Sequence, residues 1–189
     1  MKKIQHLIFS VLLISNLPAA DWPTWGGDAT RNMVSLETGL DFDFEPGEMN
    51  DDESVDMSTT KNIKWVAKLG SQAYGNVTIA NGRVFAGTNN ESPRDTGKKG
   101  DRGVVMCFNE KSGEIEWQLV IPKLGAGKVS DWEYIGVCSS PAIEGNRVYV
   151  VTNKCEVVCL DIEGFKNGND GPFMDEANYV KPKGTQDSL

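Results

Sequence analysis

Histidine is almost missing from this chain of 189 residues, and the one copy, His6, lies in an N-terminal stretch that reads as an export leader. With none in residues 21–189, Ser-His and Cys-His nucleophile pairs, imidazole metal sites and a histidine general base all drop out of consideration. Basic residues are scarce as well. The formal charge is −8, and without Lys2 and Lys3 the remainder holds 17 basic against 27 acidic residues, a net −10. No basic cluster of the kind that tracks a phosphate backbone is present, so nucleic acid is not an expected partner. Long apolar runs are absent too. The stretch from Leu7 to Leu17, interrupted by Ser10, Ser15 and Asn16, is too short to span a bilayer comfortably, so no membrane span is expected after leader removal.

What that stretch does carry is the layout of a cleaved leader. Lys2 and Lys3 precede it, and Pro18-Ala19-Ala20 follows before acidic, Trp-rich sequence, which places a signal peptide over 1–20. Pro18 is unusual at the third position before such a cut. No cysteine lies near the cut, which argues against a lipid-anchored mature end. A periplasmic or secreted protein is expected.

The stretch around which the chain is organised runs from Cys107 to Trp117. Val104 to Phe108 is a short apolar run. Asn109 to Gly113 supplies turn formers, and Ile115, Trp117, Leu119 and Ile121 then alternate. A hairpin follows, with a glycine for positive φ at its turn and an aromatic at a fixed offset behind it. Its parts recur: Ile63-Lys64-Trp65 echoes Ile115-Glu116-Trp117 at an offset of 52 residues, and Met106-Cys107-Phe108-Asn109 echoes Val158-Cys159-Leu160-Asp161 at the same offset. The block Ile79 to Asn89 echoes Ile143 to Asn153 at 64. The difference of 12 residues is an insertion in the polar segment Asn90 to Arg102, where a loop belongs. Each unit thus holds a strand, an Asn-Gly or Gly-Asn hairpin turn, a second strand, a loop, a third strand and a hairpin to a fourth.

Four antiparallel strands repeated every roughly 40 to 50 residues are the signature of a propeller blade. The spacing small-x-[Asp/Asn]-x-x-[Thr/Ser]-Gly-x-x-x-Trp resembles the tryptophan-docking motif of pyrroloquinoline-quinone-type (PQQ-type) β-propellers. Cys107 takes the small position, Asn109 the acidic one, Ser112-Gly113 the turn and Trp117 the docking position. Trp22-Pro23-Thr24-Trp25-Gly26 is similar to the opening common in that family, and would lie as an anchored arm across a packed surface. The resemblance implies an all-β fold, a β-propeller of four-stranded antiparallel blades, here an incomplete ring of about two. Residues 21–60 form the arm and an acidic connector, and 61–189 the partial propeller. A blade occupies 75–121, an incomplete blade 138–161 and an irregular tail 162–189. Ile63 to Leu69 reads as a fourth, outer strand without its first three, whose partners would be missing C-terminal blades of the same protein. By the same resemblance Trp65 and Trp117 are buried anchors between blades, served by Asn109 and Gly113.

Asp41 to Thr60 carries Asp41, Asp43, Glu45, Glu48, Asp51, Asp52, Glu53 and Asp56. Their spacing lacks the pattern of a calcium loop, and a solvated connector is expected. No metal site and no catalytic group is expected. Four cysteines in an exported chain invite pairing. The hairpin at Gly145-Asn146 sets Ile143 against Val148 and carries Cys138 opposite Asn153, close enough to Cys155 for a disulfide. Cys107 and Cys159 occupy equivalent third-strand positions and read as two reduced, buried thiols. The vicinal Cys-Cys pair typical of PQQ alcohol dehydrogenases is absent. Three function classes follow. The first is a binding or scaffold propeller without cofactor that meets other cell-envelope proteins. The second is the front of a PQQ- and calcium-dependent quinoprotein dehydrogenase acting on alcohols or sugars. The third is a carbohydrate-directed accessory protein using Trp132 and Tyr134.

Overall fold

A computed structural model describes residues 20–168 apart from 128, 130 and 131. The segment expected to be a leader, except its last residue, and the tail beyond 168 lie outside these. The described chain is all-β, with nine strands in three antiparallel sheets and one short 3-10 turn at Met57–Thr59. A two-stranded sheet joins β1 (Glu48–Met49) to β2 (Val55–Asp56). A four-stranded sheet runs in chain order through β3 (Thr78–Ala80), β4 (Arg83–Asn89), β5 (Arg102–Asn109) and β6 (Ile115–Pro122). A three-stranded sheet holds β7 (Ala142–Glu144), β8 (Arg147–Val151) and β9 (Val157–Asp161).

Local chemistry sets these hairpins. Asn81 and Gly82 both take positive φ, at 53° and 73°, the conformation that a tight two-residue hairpin with the correct twist requires. Ile79 pairs with Val84 across that turn, and Ile143 pairs with Val148 across Gly145-Asn146, at the 64-residue offset and in the expected register. The insertion between β4 and β5 is a loop pinned by Asn90, whose Nδ2 donates to the carbonyls of Lys98 (2.6 Å) and Gly100 (3.1 Å).

Strands β4 and β5 are buried along nearly their whole length because the four-stranded sheet is covered on both faces. On one face Val84, Val104, Met106 and Phe108 meet Trp65, Ala67 and Leu69. On the other, Ala80, Phe85 and Cys107 meet Ile143, Val148 and Ile162, while Val105 and Ile121 meet Val150. The N-terminal arm stitches the same two sheets together. Trp22 exchanges both main-chain hydrogen bonds with Ile79 (2.7 and 3.0 Å), and Pro23 accepts from the Ile143 amide at 2.8 Å.

One expectation, that Cys159 is buried, needs correction, and two others gain detail. Ile63 to Leu69 forms no ladder with another strand among the described residues; it lies extended, with Ile63, Trp65, Ala67 and Leu69 turned inward and the residues between them exposed. The acidic connector is more than a solvated link. It folds β1 and β2 into a hairpin, Asp56 caps the 3-10 turn through the Ser58 amide (2.9 Å), and Lys61 and Lys68 neutralise Asp43 and Glu53. Cys159 is exposed where its counterpart Cys107 is buried, because β9 is the edge of a sheet that has no fourth strand among the described residues.

Candidate functional site

The turn after β5 is built by Asn109. Its side-chain oxygen accepts from the amides of Lys111 (2.9 Å) and Ser112 (3.1 Å), and its carbonyl accepts from Gly113 (2.8 Å), which sits at φ +73°. Closing the loop in this way turns the Glu110 carbonyl outward and leaves a bare backbone surface at Gly113. The Trp65 indole fills both. Its Nε1 donates to the Glu110 carbonyl at 2.8 Å, and its ring lies so close to Gly113 that an added Cβ would sit 2.5 Å from Cδ2. Phe108 flanks the ring at a centroid distance of 6.4 Å.

The same arrangement recurs one unit later. Asp161 accepts from the Glu163 amide (2.6 Å), its carbonyl accepts from Gly164 (3.1 Å), and Gly164 has φ +63°. Trp117 Nε1 donates to the Ile162 carbonyl at 2.9 Å, and a Cβ on Gly164 would stand 2.9 Å from the indole. In each case the acceptor lies 45 residues beyond the tryptophan. Trp65, Asn109 and Gly113 are therefore gathered at one contact, while Trp117 serves the next, where the sequence pattern gave no partner. Both indoles are half-buried. The turn at Asp161 escapes motif reading because it is one residue shorter than that at Asn109; its signal is Gly164, three residues after the aspartate.

A charged network ties the two contacts together. Arg83 Nε reaches Glu116 Oε2 at 2.9 Å, its guanidinium also meets Glu163 at 3.7 Å, and Lys166 meets Glu116 at 3.2 Å. Burial pushes the Glu116 carboxyl up, but hydrogen bonds from Asn109, Arg83 and Lys166 outweigh it and hold the carboxyl below its ordinary value. Beside it, burial and the Glu116 charge push the Cys107 thiol up to about 12, so it is no nucleophile. Arg147, at the position equivalent to Arg83, is exposed.

Asn89 is a fully buried clamp that repeat analysis did not single out. Its amide holds the Ser71 amide (3.0 Å), the Glu91 amide (3.1 Å), the Ser71 hydroxyl (2.9 Å) and the Tyr134 carbonyl (2.5 Å), which gathers three loops at one end of the four-stranded sheet. Trp132 and Tyr134 stand exposed near that end. No cluster of potential metal ligands occurs among the described residues.

Cys138 and Cys155 are separate, exposed thiols, so the expected bridge is not made. Past Val151 the chain leaves the ladder for a tight turn, where the Cys155 amide donates to the Thr152 carbonyl at 3.0 Å. Cys155 occupies that turn's left-handed position, at φ 61°, rather than continuing the hairpin register opposite Cys138. Burial pushes the Cys138 thiol up.

On its outer side the four-stranded sheet and the segment 63–69 enclose an apolar groove of about 450 Å³, lined by Trp65, Ala67, Leu69, Val77, Ile79 and Val84 among others. No known family model matches the chain, and no curated protein sequence matches it.

Proposed function

We propose that this chain is the opening part of an exported PQQ-like β-propeller that works as a binding or scaffold module. The observation that carries this reading is the repeated dock. Two tryptophans 52 residues apart each donate to a carbonyl in the following sheet and each lie on a positive-φ glycine. An aromatic handed to the turn of the following sheet, twice at one repeat offset, supports radially repeated blades. Further blades, from the remainder of the same protein, complete the ring. The role is non-catalytic because residues 21–189 contain no histidine and the buried titratable groups, Glu116 and Cys107, are consumed by packing. Binding then falls to loops at the ends of the sheets, such as those carrying Trp132 and Tyr134, which can meet other cell-envelope proteins.

The test adds PQQ and calcium to the purified protein and follows quinone absorbance, calorimetric heat and dye-linked alcohol oxidation. No stoichiometric PQQ uptake and no turnover are expected. Uptake with turnover would establish the quinoprotein dehydrogenase reading instead. Electron-microscopy averages of the protein expressed from its complete reading frame provide the architectural arm, in which an annular particle is expected and an elongated stack of sheets would count against a propeller.

A further inference from the structure

We propose that the loops at one end of the four-stranded sheet form a binding site for a neutral oligosaccharide, with Tyr74, Trp132 and Tyr134 as ring platforms and Gln72, Glu91 and Asp101 as partners for sugar hydroxyls. The inference rests on the binding role proposed for these loops and adds the class of ligand. It requires no neighbour on the sheet faces, because the loops at the end of a sheet stay open when its faces are covered.

The second repeat unit supplies the baseline. In the first unit the starts of β3 and β5 and the ends of β4 and β6 all lie at this end of the sheet. At the equivalent place in the second, β8 and β9 are joined by the short turn 152–156. The first unit carries its 12 extra residues there, and the long connection from β6 to β7 starts beside them. Residues that one repeat has and its neighbour lacks are not needed to fold the repeat, and added surface loops are where binding groups concentrate. These loops are firmly held. Asn153 Nδ2 donates to the Pro122 carbonyl at 2.9 Å where the connection begins, and Asn89 Nδ2 donates to the Tyr134 carbonyl at 2.5 Å. Asp101, from the insertion, accepts from the Tyr134 amide at 2.8 Å, and Lys123 donates to the Trp132 carbonyl at 2.6 Å. With both main-chain groups captured, Tyr134 is held at φ 55°, a left-handed conformation that a tyrosine adopts only under constraint. Residues 70–74 join the same frame, since the amides of Gly70 and Ser71 donate to the side chains of Thr88 and Asn89 at 3.0 Å each.

What this frame presents is aromatic and polar together. Tyr74 and Trp132 are each 63% exposed and Tyr134 is 38% exposed, and no ring contact joins them among the described residues, so the rings are offered to solvent rather than spent on each other. The Tyr74 hydroxyl donates to Gln72 Oε1 at 2.7 Å, which orients the amide and leaves its Nε2 as a donor. Glu91 is anchored through its amide to Asn89 Oδ1 at 3.1 Å, and its exposed carboxylate makes no ion pair among the described residues. Asp101 Oδ1 is buried and accepts no hydrogen bond, an acceptor that an entering hydroxyl would satisfy. A pyranose answers this combination. Its C–H face lies against the negative face of an aromatic ring, while its equatorial hydroxyls need oriented donors and acceptors around it. The carboxylates of Glu91 and Asp101, in a chain of net charge −8, disfavour an anionic glycan and leave the neutral class.

Calorimetric titration of the purified protein with cellohexaose, maltohexaose and N-acetylchitohexaose tests this, with tryptophan fluorescence followed in parallel. At least one of the three should bind and change the emission. Trp132→Ala and Tyr74→Ala should each weaken that binding by about tenfold or more, as removal of a ring anchor does. Both side chains are exposed, so urea midpoints should match the parent. Trp25→Ala, which removes an exposed ring of the N-terminal arm, should leave the affinity unchanged. Neither heat nor a fluorescence change with any of the three sugars at about millimolar concentration overturns the inference, as does binding that survives both Trp132→Ala and Tyr74→Ala. Retention of a protein from the exported fraction by the parent but not by Trp132→Ala, with no sugar bound, would make the cluster a protein contact and overturn it equally. Uptake of PQQ or a particle that is not annular would count against the proposed function alone, because the sugar titrations and their variants read only these loops.

Discussion

Gly113 and Gly82 form a matched pair of perturbations because both sit at φ +73°. An alanine at either position must hold a left-handed backbone, at a cost of about 1–2 kcal/mol. What surrounds them differs. An added Cβ at Gly82 meets nothing within 4 Å, whereas at Gly113 it would stand 2.5 Å from Trp65 Cδ2 and 2.7 Å from Cε3. Ordinary carbon contacts lie at about 3.5–4.0 Å, so the indole must retreat by roughly 1 Å or more. That displacement stretches its 2.8 Å hydrogen bond to Glu110 beyond bonding range. The lost bond is worth about 0.5–1.5 kcal/mol. Since Trp65 is half-buried, its lost packing is taken as about half of the 3–5 kcal/mol of a buried Trp→Ala change. Gly113→Ala should therefore destabilise by about 2–4 kcal/mol more than Gly82→Ala. Urea unfolding with constant m-values measures the difference, and in a Trp65→Ala background the excess should vanish as the double-mutant cycle closes. Equal costs for the two alanines, or an excess that persists without Trp65, would refute the dock.

At the second dock, Trp117→Phe keeps most of the ring but leaves the Ile162 carbonyl without its indole donor, and should cost about 1 kcal/mol by urea midpoint. Trp117→Ala should cost about 2–3 kcal/mol, less than for a fully buried tryptophan. The Glu116 carboxyl is lowered in the folded state, so its stabilisation is present above the unfolded value of about 4.3 and is lost as pH falls through the folded one. Acid unfolding of Glu116→Gln should accordingly lose part of the parent's slope below about pH 4.3. Under reducing conditions a thiol-specific dye should label Cys155 and Cys159 quickly and Cys138 more slowly. Cys107, buried and at about 12, should react only on unfolding.

The strands legible in the sequence are those whose pattern is satisfied within the chain. Arg83 to Thr88 and Val104 to Asn109 are apolar runs bounded by turn formers, and the structure extends them only to Asn89 and back to Arg102. The Asn81-Gly82 turn follows directly from residue type, as does the register of Ile143 against Val148. The docking contact was legible in part. Asn109, Gly113 and the two tryptophans stand out by spacing, but the acceptor carbonyls of Glu110 and Ile162 belong to backbone that no side-chain pattern marks. The Arg83–Glu116–Glu163 network was invisible for a different reason. Arg83 and Glu116 meet across β5 within one sheet and Glu163 joins from beyond β9, so these partners arise only in the folded chain, and nothing in their local sequence separates them from solvated charges.

The unpaired segment and the exposed strand positions have one physical origin. Ile63 to Leu69 has the alternation of an outer strand yet no ladder partner among the described residues, and Cys159 and Val157 have the residue types of a covered strand yet stand exposed. Alternation and β-branched content describe the environment a segment is shaped for. On the proposed propeller reading the segments at both ends are shaped for a neighbouring sheet, and the interior interface, made by residues at the same repeat positions, is the measure of what that neighbour would look like. The Cys138–Cys155 pairing failed for a local cause instead, because Cys155 occupies a left-handed turn position where the chain has already left the register. Exposure at the edges of the described sheets is thus informative in a way that failure inside a turn is not: it marks the side chains that those sheets leave uncovered.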